Sequence, residues 1–312
     1  MNKKAFWYPT VLALITAIIS GVSNFINKIG VTVVFDPVVY TTIKNSLVAI
    51  FLIGIILVLK KWKEIKILNR HQILKLITVG VVGGSIPFVL FFTGLAHTSA
   101  INASLIHKTL FVWVALLAIP FLKEKIRMGV WAGISIVFIA NLFVGGFSGF
   151  KFNSGEVMIF IATIFWAIES IIAKKALQDI SSITLAGARM VVGSLLLFII
   201  VAVQGNISEV FSLGATQWGW TLLSSVFLLG YVVTWYTALQ YAPAWYVATL
   251  LVPATLVTNI LTTIFITQTI SWQQAVSGGL YLVGIIIILS IARKTFKSNV
   301  LIPSSETNSE NF

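Results

Sequence analysis

The chain of 312 residues contains no cysteine, which excludes disulfides and cysteine-ligated metals while leaving the compartment open. Charge is scarce too: Asp, Glu, Lys and Arg make up 10% of residues, against about 25% in an ordinary soluble domain. Acids are the rarer sign, nine Asp and Glu against 21 Lys and Arg, and there are three histidines. These shortages remove most catalytic chemistry. There is no HExxH helix, no G-x-S-x-G elbow, no P-loop and no paired carboxylates. The expectation is a non-enzyme without cofactor or metal, and without a soluble domain that could drive it with ATP.

Apolar residues are abundant: 58% of the chain, with a mean hydropathy of +1.00. No charge occurs between Lys4 and Lys28, between Arg127 and Lys151, between Arg189 and Glu209, or from Val210 through Ala292. A helix needs about 20 apolar residues to cross the hydrocarbon. Backbone polar groups cannot go unpaired in lipid, and these runs lack the alternation of barrel strands, so each must be a helix. The expected fold class is all-α integral membrane, with ten transmembrane helices.

Spans 1 to 10 are expected near residues 9–27, 38–59, 74–96, 100–121, 128–146, 157–175, 182–204, 216–240, 244–267 and 272–292. Lys3 and Lys4 ahead of the first run suggest a signal peptide, but that run carries Asn24 and Asn27 and no small-residue cleavage site follows, so it is kept as span 1. Residues 298–312 read as a disordered polar tail.

Cations accumulate in short cytoplasmic loops. With the N-terminus inside, sixteen of the 21 fall in cytoplasmic segments: Lys3, Lys4, six between 60 and 75, three between 123 and 127, Lys174, Lys175, and three between 293 and 297. Lys28 and Lys151 fall outside, and Lys44, Lys108 and Arg189 within spans. This partition calls for an even number of spans in a plasma membrane, with both termini cytoplasmic. It also makes the net charge of +12 a topology signal, not a footprint for nucleic acid.

A shift of 144 places Phe92-Thr93-Gly94-Leu95 on Tyr236-Thr237-Ala238-Leu239 and Ala100 on Ala244. A shift of 145 places Lys44 on Arg189, and 146 places Lys28 on Lys174. Residues 1–150 and 151–297 are therefore expected to be two repeats of five spans each. An odd number of spans inverts the second repeat, an architecture by which many transporters show one central site to either side in turn.

The residues at these positions resemble the drug/metabolite transporter superfamily, specifically its bacterial EamA-type, ten-helix members, over about residues 8–293. The marks are Lys28 and Lys174 closing spans 1 and 6, Trp166 eight residues before Lys174, and a cation in spans 2 and 7 (Lys44, Arg189). Pro253 in span 9 and the Leu122-Lys123-Glu124-Lys125 step are further marks. The resemblance implies transport of amino acids, other metabolites or drugs, often outward, through a cavity mainly between spans 1, 3, 4, 6, 8 and 9. The chain departs from the pattern at Thr109, where span 4 would carry proline, at the His107-Lys108 pair, at Ser20, and at Gln268-Thr269.

An ionisable side chain inside a span is a functional candidate by default. Lys108, about 11 Å deep in span 4, is the first expected substrate contact. His107 points about 100° away around the helix, and a hydrogen-bonded packing role is expected for it, with proton coupling left open. Glu169, the one acid well inside a span, is expected to form an ion pair or share a water cluster with Arg189, either for coupling or as a tie between helices. Lys44 has no acidic span partner, and this excess of bases favours solutes bearing a carboxylate or phosphate. Asn24, Tyr40, Asn102, Trp113, Trp166, Trp235, Tyr236 and Tyr246 complete the candidate substrate set. Gly83, Gly84, Pro87 and Pro253 are candidate hinges.

The expected function is a secondary transporter of a small polar metabolite, an amino acid or a related carboxylate- or phosphate-bearing solute. It would work outward by alternating access, with a proton among the candidate coupling ions, and as a monomer or homodimer in membrane lipid. A lipid-handling flippase or membrane enzyme would instead show a lateral opening. A multidrug exporter would offer unpaired carboxylates, and a scaffold would need no buried charges.

Overall fold

The computed structural model describes residues 3–143, 149 and 151–299, with side chains within 6–293. No strand occurs among the described residues. The first half comprises α1 (Lys3–Val34), α2 (Pro37–Val58), α3 (Trp62–Lys66), α4 (Arg70–Gly84), α5 (Ile86–Ala96), α6 (Ala100–Lys108), α7 (Leu110–Leu122) and α8 (Met128–Leu142). The second comprises α9 (Ser154–Ala176), α10 (Ser182–Val203), α11 (Ile207–Phe211), α12 (Ala215–Tyr241), α13 (Ala244–Leu250), α14 (Ala254–Thr262), a π-helical turn over Thr263–Thr267, and α15 (Trp272–Asn299).

Nine described stretches are long and apolar enough to cross a bilayer; α8 supplies the tenth span, 15 residues as described, or about 22 Å. The protein is an all-α integral membrane protein of ten transmembrane helices in two inverted five-helix repeats. Residues 144–146, expected to finish span 5, and residues 300–312 of the expected tail lie outside the described residues. Residues 298 and 299, also assigned to the tail, continue α15.

Three spans expected as single helices are jointed, and each joint has a local cause. Span 3 is α4 and α5. Pro87 lacks the N–H that would bond the Gly83 carbonyl, and the chain parts at Ser85 with φ −128° and ψ −75°. Span 4 is α6 and α7. Here the Thr109 amide and hydroxyl both turn back to the Ile106 carbonyl, at 3.0 and 2.7 Å, tightening the turn without a proline. Span 9 is α13 and α14, joined through Leu251 to Pro253 by i to i−3 bonds such as Leu251 to Ala248 at 3.2 Å. Thr109 and Pro253 are 144 positions apart, so the two repeats bend at one place by different chemistry.

The repeats interlock. α1 lies along α12, and α5 along α9; α2 packs on α10, α7 on α13, and α8 on α15. Spans 1 and 8, 3 and 6, 2 and 7, 4 and 9, and 5 and 10 are thus partners, every pair joining one repeat to the other. The close approach of span 3 to span 7 depends on glycine: a Cβ on Gly84 or Gly193 would run into the other's backbone.

The short helices α3 and α11 fill the loops after spans 2 and 7 and tie to the opposite repeat. Glu64 of α3 accepts from the Ser181 amide and hydroxyl, both at 2.6 Å, and from the Thr184 hydroxyl at 2.9 Å, where α10 begins. Asp36, which caps α2 through the Val38 and Val39 amides, accepts from the Asn206 side chain at 2.7 Å just before α11.

Candidate substrate cavity

A narrow cavity of about 60 Å³, lined by polar and aromatic side chains, lies where the repeats meet. One face of α1 supplies Ser20, Ser23, Asn24 and Asn27, at helical spacing. α5 adds Phe88, Phe91 and Phe92; α9 adds Trp166, Glu169 and Ser170; α12 adds Leu228, Tyr231 and Trp235. Span 4 brings His107 and Leu110, and α2 and α10 bring one residue each, Lys44 and Arg189. Span 9, expected among the walls, contributes none of this lining, while spans 2 and 7 enter through their cations alone.

Arg189 is buried and gripped. Its Nη2 donates to the Gly83 carbonyl at 2.9 Å, and Trp166 Nε1 donates to the same oxygen at 3.0 Å. That carbonyl is the one Pro87 left unpaired, so the joint in span 3 creates the acceptor that orients Arg189 and Trp166. The guanidinium also faces the rings of Phe88 and Tyr236 at 5.4 and 5.7 Å, and its Nε has no hydrogen-bond partner among the described residues. Lys44, in the matching place of the other repeat, sits 3.5 Å from the centre of the Phe92 ring. Among the described residues its ammonium donates to Asn27 Oδ1 alone, at 3.3 Å, an oxygen that also accepts from Tyr40 at 2.8 Å.

The expected ion pair between Glu169 and Arg189 is not made directly. Among the described residues, ion pairs within 4.0 Å are Lys61 with Glu64 and Lys75 with Asp179. Gly83 stands between the two groups: a Cβ there would meet Glu169 Cγ and lie 3.1 Å from Arg189 Nε. Glu169 instead accepts from the Tyr236 hydroxyl at 2.6 Å, which puts Tyr236 behind the wall and not in it.

The expectation for His107 and Lys108 is reversed. His107 faces the cavity, packed on Phe91 and Trp166 with ring centres 5.2 and 4.9 Å away, and its Nδ1 has no hydrogen-bond partner among the described residues, so the hydrogen-bonded packing role does not hold for that nitrogen. Lys108 is outside the lining, its buried ammonium donating to Ser20 Oγ at 2.7 Å. It reaches the cavity only through Ser20. The rotation of about 100° between neighbours on a helix lets only one of the two face the cavity, and it is His107.

Asn24, Trp166 and Trp235 line the cavity as expected positions. Trp113 does not; half-buried, it bonds to Thr109 and packs edge-on against Phe160. Asn102 and Tyr246 lie outside the lining and link the repeats. Asn102 of α6 donates to Glu156 of α9 at 2.7 Å, and the Tyr246 hydroxyl of α13 shares a hydrogen with Thr10 of α1 at 2.8 Å. The candidate hinges Gly83, Gly84 and Pro87 gather at the joint of span 3 and Pro253 at that of span 9. Ser23, Asn27, Phe88, Phe91, Phe92, Ser170 and Tyr231 line the cavity but were not among the candidates. For Ser23 and Asn27 the signal was available: with Ser20 and Asn24 they recur at i, i+3, i+4 and i+7.

Two inverted sets of spans around a buried polar cavity define a class, the polytopic membrane transporter. A family model described as EamA-like transporter family matches residues 7–146 and again 153–290, and the chain belongs to that family. Relatives carry matching names. An "Uncharacterized transporter" of Methanothermobacter thermautotrophicus is 26% identical over 71% of this chain and 66% of its own length. "Uncharacterized transporter YyaM" of Bacillus subtilis is 25% identical over 52% of this chain and 56% of its own. An "Uncharacterized transporter" of Archaeoglobus fulgidus is 24% identical over 84% and 97%. The matches thus span less than two thirds of the first two relatives. A solved crystal structure superposes with a TM-score of 0.72 over 92% of this chain and 99% of that one at 12% identity, a likeness of fold.

Proposed function

We propose that the protein moves a small polar metabolite bearing a carboxylate or phosphate, an amino acid or a related solute, outward across the plasma membrane by alternating access. One observation carries this reading: Lys44 and Arg189, one from each repeat, both reach the cavity, and among the described residues neither has a carboxylate within ion-pair distance. A buried cation needs a counter-charge or strong acceptors, and an anionic solute between the two supplies it. Aromatic rings on α5, α9 and α12 then receive the apolar part of the solute. Glu169 is the acid through which a proton or a substrate ammonium would be handled. The cation distribution supports a cytoplasmic N-terminus and C-terminus.

The test is thermal stabilisation of the purified protein by carboxylates, phosphate esters and amino acids, followed by counterflow in liposomes with whichever stabilises it. Stabilisation by lipophilic cations in place of anions would sink the reading. The runner-up is a lipid-handling protein, favoured by an apolar cleft of about 290 Å³ between α14 and α15 with walls of Leu256, Ile260, Ile264 and Ile270. Under that reading lipids, not soluble anions, stabilise the protein.

A further inference from the structure

Glu124 and Glu156 take no part in the cavity, and each bonds across the repeats, at opposite ends of the bundle. At the end of α7, Lys123 turns into the left-handed region with φ 55°, which stops the helix and points the chain toward α13. The Glu124 carboxylate then accepts from the Ala244 amide at 2.8 Å and the Trp245 amide at 3.3 Å. From the other side Lys174 donates to the Leu239 and Ala242 carbonyls at 2.7 and 2.8 Å. The tight turn between α12 and α13 is thus held by a cation on its carbonyls and an anion on its amides, each matching the partial charge of a helix end.

At the opposite end Lys28 makes the matching clamp, on the Leu95 and Thr98 carbonyls at 2.8 and 2.9 Å. The position 145 beyond Glu124 is Thr269, exposed and making no side-chain hydrogen bond among the described residues. The carboxylate at this end is Glu156 of α9, which accepts from Asn102 Nδ2 of α6 at 2.7 Å and from the Phe152 amide at 2.7 Å. Its counterpart 146 earlier is Thr10, with the neutral bond to Tyr246. On the short helices α6 and α13, each end therefore carries one carboxylate link between repeats, supplied by unrelated positions. Both links act on the short helices α6 and α13, which precede the joints at Thr109 and at 251–253. Each of these helices is jointed at one end and tied to the opposite repeat at the other, which is the geometry of a hinged segment.

We propose that Glu124 and Glu156 are the two latches of the transport cycle: Glu124 releases α13 before the Lys174 end opens, and Glu156 releases α6 before the Lys28 end opens. This rests on the alternating-access reading. The absence of cysteine gives a clean background for a reporter at Ser170→Cys, a cavity position whose hydroxyl bonds only its own helix at Trp166. Its labelling rate with a membrane-impermeant maleimide is measured from each face, in intact cells and in inverted vesicles.

Glu124→Gln is expected to raise labelling at least threefold from the face at the Lys174 end and to lower it from the other. Glu156→Gln is expected to do the reverse. Melting temperatures and monodispersity confirm that each variant folds; should one fail to fold, the other alone decides the sign. An unchanged rate, or an equal rise at both faces, overturns the latches. A parent protein that labels from one face under all conditions overturns alternating access itself, which separates the two failures.

Discussion

The two repeats place a cation at matching positions and hold it in contrasting ways. Arg189 is bonded to a backbone carbonyl of the opposite repeat, because Pro87 breaks span 3 and the glycine pair Gly84 and Gly193 lets the broken helix come close. The matching partner for Lys44 would be a carbonyl near residue 227, but α12 runs unbroken from Ala215 to Tyr241 and bonds its own carbonyls internally. The positions matching Gly84 and Gly193 are Leu228 and Val48, whose side chains stand where the other pair has none. Lys44 is left on a ring face with one long hydrogen bond. Sequence symmetry thus leads to one fixed cation and one loosely held cation. A fixed guanidinium suits recognition of a planar anion, and a loosely held ammonium can follow the solute as the cavity changes shape.

The contrast breaks most completely where the glycines meet. Gly84→Val puts a branched side chain into the backbone of Arg189 and Gly193, and the expected cost is about 3 kcal/mol or more; loss of monodisperse protein in detergent, or a large fall in melting temperature, checks it. Next come the cations themselves. Arg189→Gln removes the charge and one of the two donors to the Gly83 carbonyl, with an expected loss of about 100-fold in transport efficiency, some 2.7 kcal/mol. Lys44→Gln removes a charge with weaker ties, and about tenfold is expected, chiefly in affinity. Equal losses in a liposome uptake assay would erase the distinction drawn between the two sites.

Pro87→Ala sharpens the comparison by one hydrogen bond. The new amide can reclaim the Gly83 carbonyl, so Arg189 and Trp166 must share or lose their acceptor. Solute affinity is expected to weaken about fivefold, near 1 kcal/mol, without loss of folded protein. Unchanged dissociation constants from thermal-shift titration would show that the joint in span 3 does not position Arg189.

Span number and the pairing of Lys28 with Lys174 were legible because they rest on period and charge, which survive in a linear string. The joints in spans 3, 4 and 9 were half legible: proline announces those near Pro87 and Pro253, but Thr109 breaks span 4 through a hydroxyl that a sequence reads as ordinary. The face occupied by His107 against Lys108 was not legible, since it depends on the rotation of α6, which the joint at Thr109 sets. Asn102 and Tyr246 looked like solute contacts because polar groups in spans are rare. Their bonds to Glu156 and Thr10 join helices distant in the chain, and only the interlocked packing brings them together.

The smallest expected effect tests the ties at the ends of α2 and α10, where the repeats again use different chemistry for one purpose. Glu64 reaches from α3 to Ser181 and Thr184, whereas Asp36 itself caps α2 and receives Asn206. Burial pushes the Glu64 carboxyl up, but the Ser181 hydroxyl and amide, the Thr184 hydroxyl and Lys61 outweigh it and hold the group below the ordinary carboxylate range. A carboxyl depressed on folding stabilises above its unfolded value, and that contribution fades as pH falls from there through the folded value. Glu64→Gln is therefore expected to cost about 1 kcal/mol at pH 7, seen as a drop in melting temperature of a few degrees. The gap between parent and variant should narrow as the pH is taken below the ordinary carboxylate range. A gap that persists unchanged in acid would mean that the tie acts through shape alone, and that the charge on α3 has no part in anchoring the helix that carries Arg189.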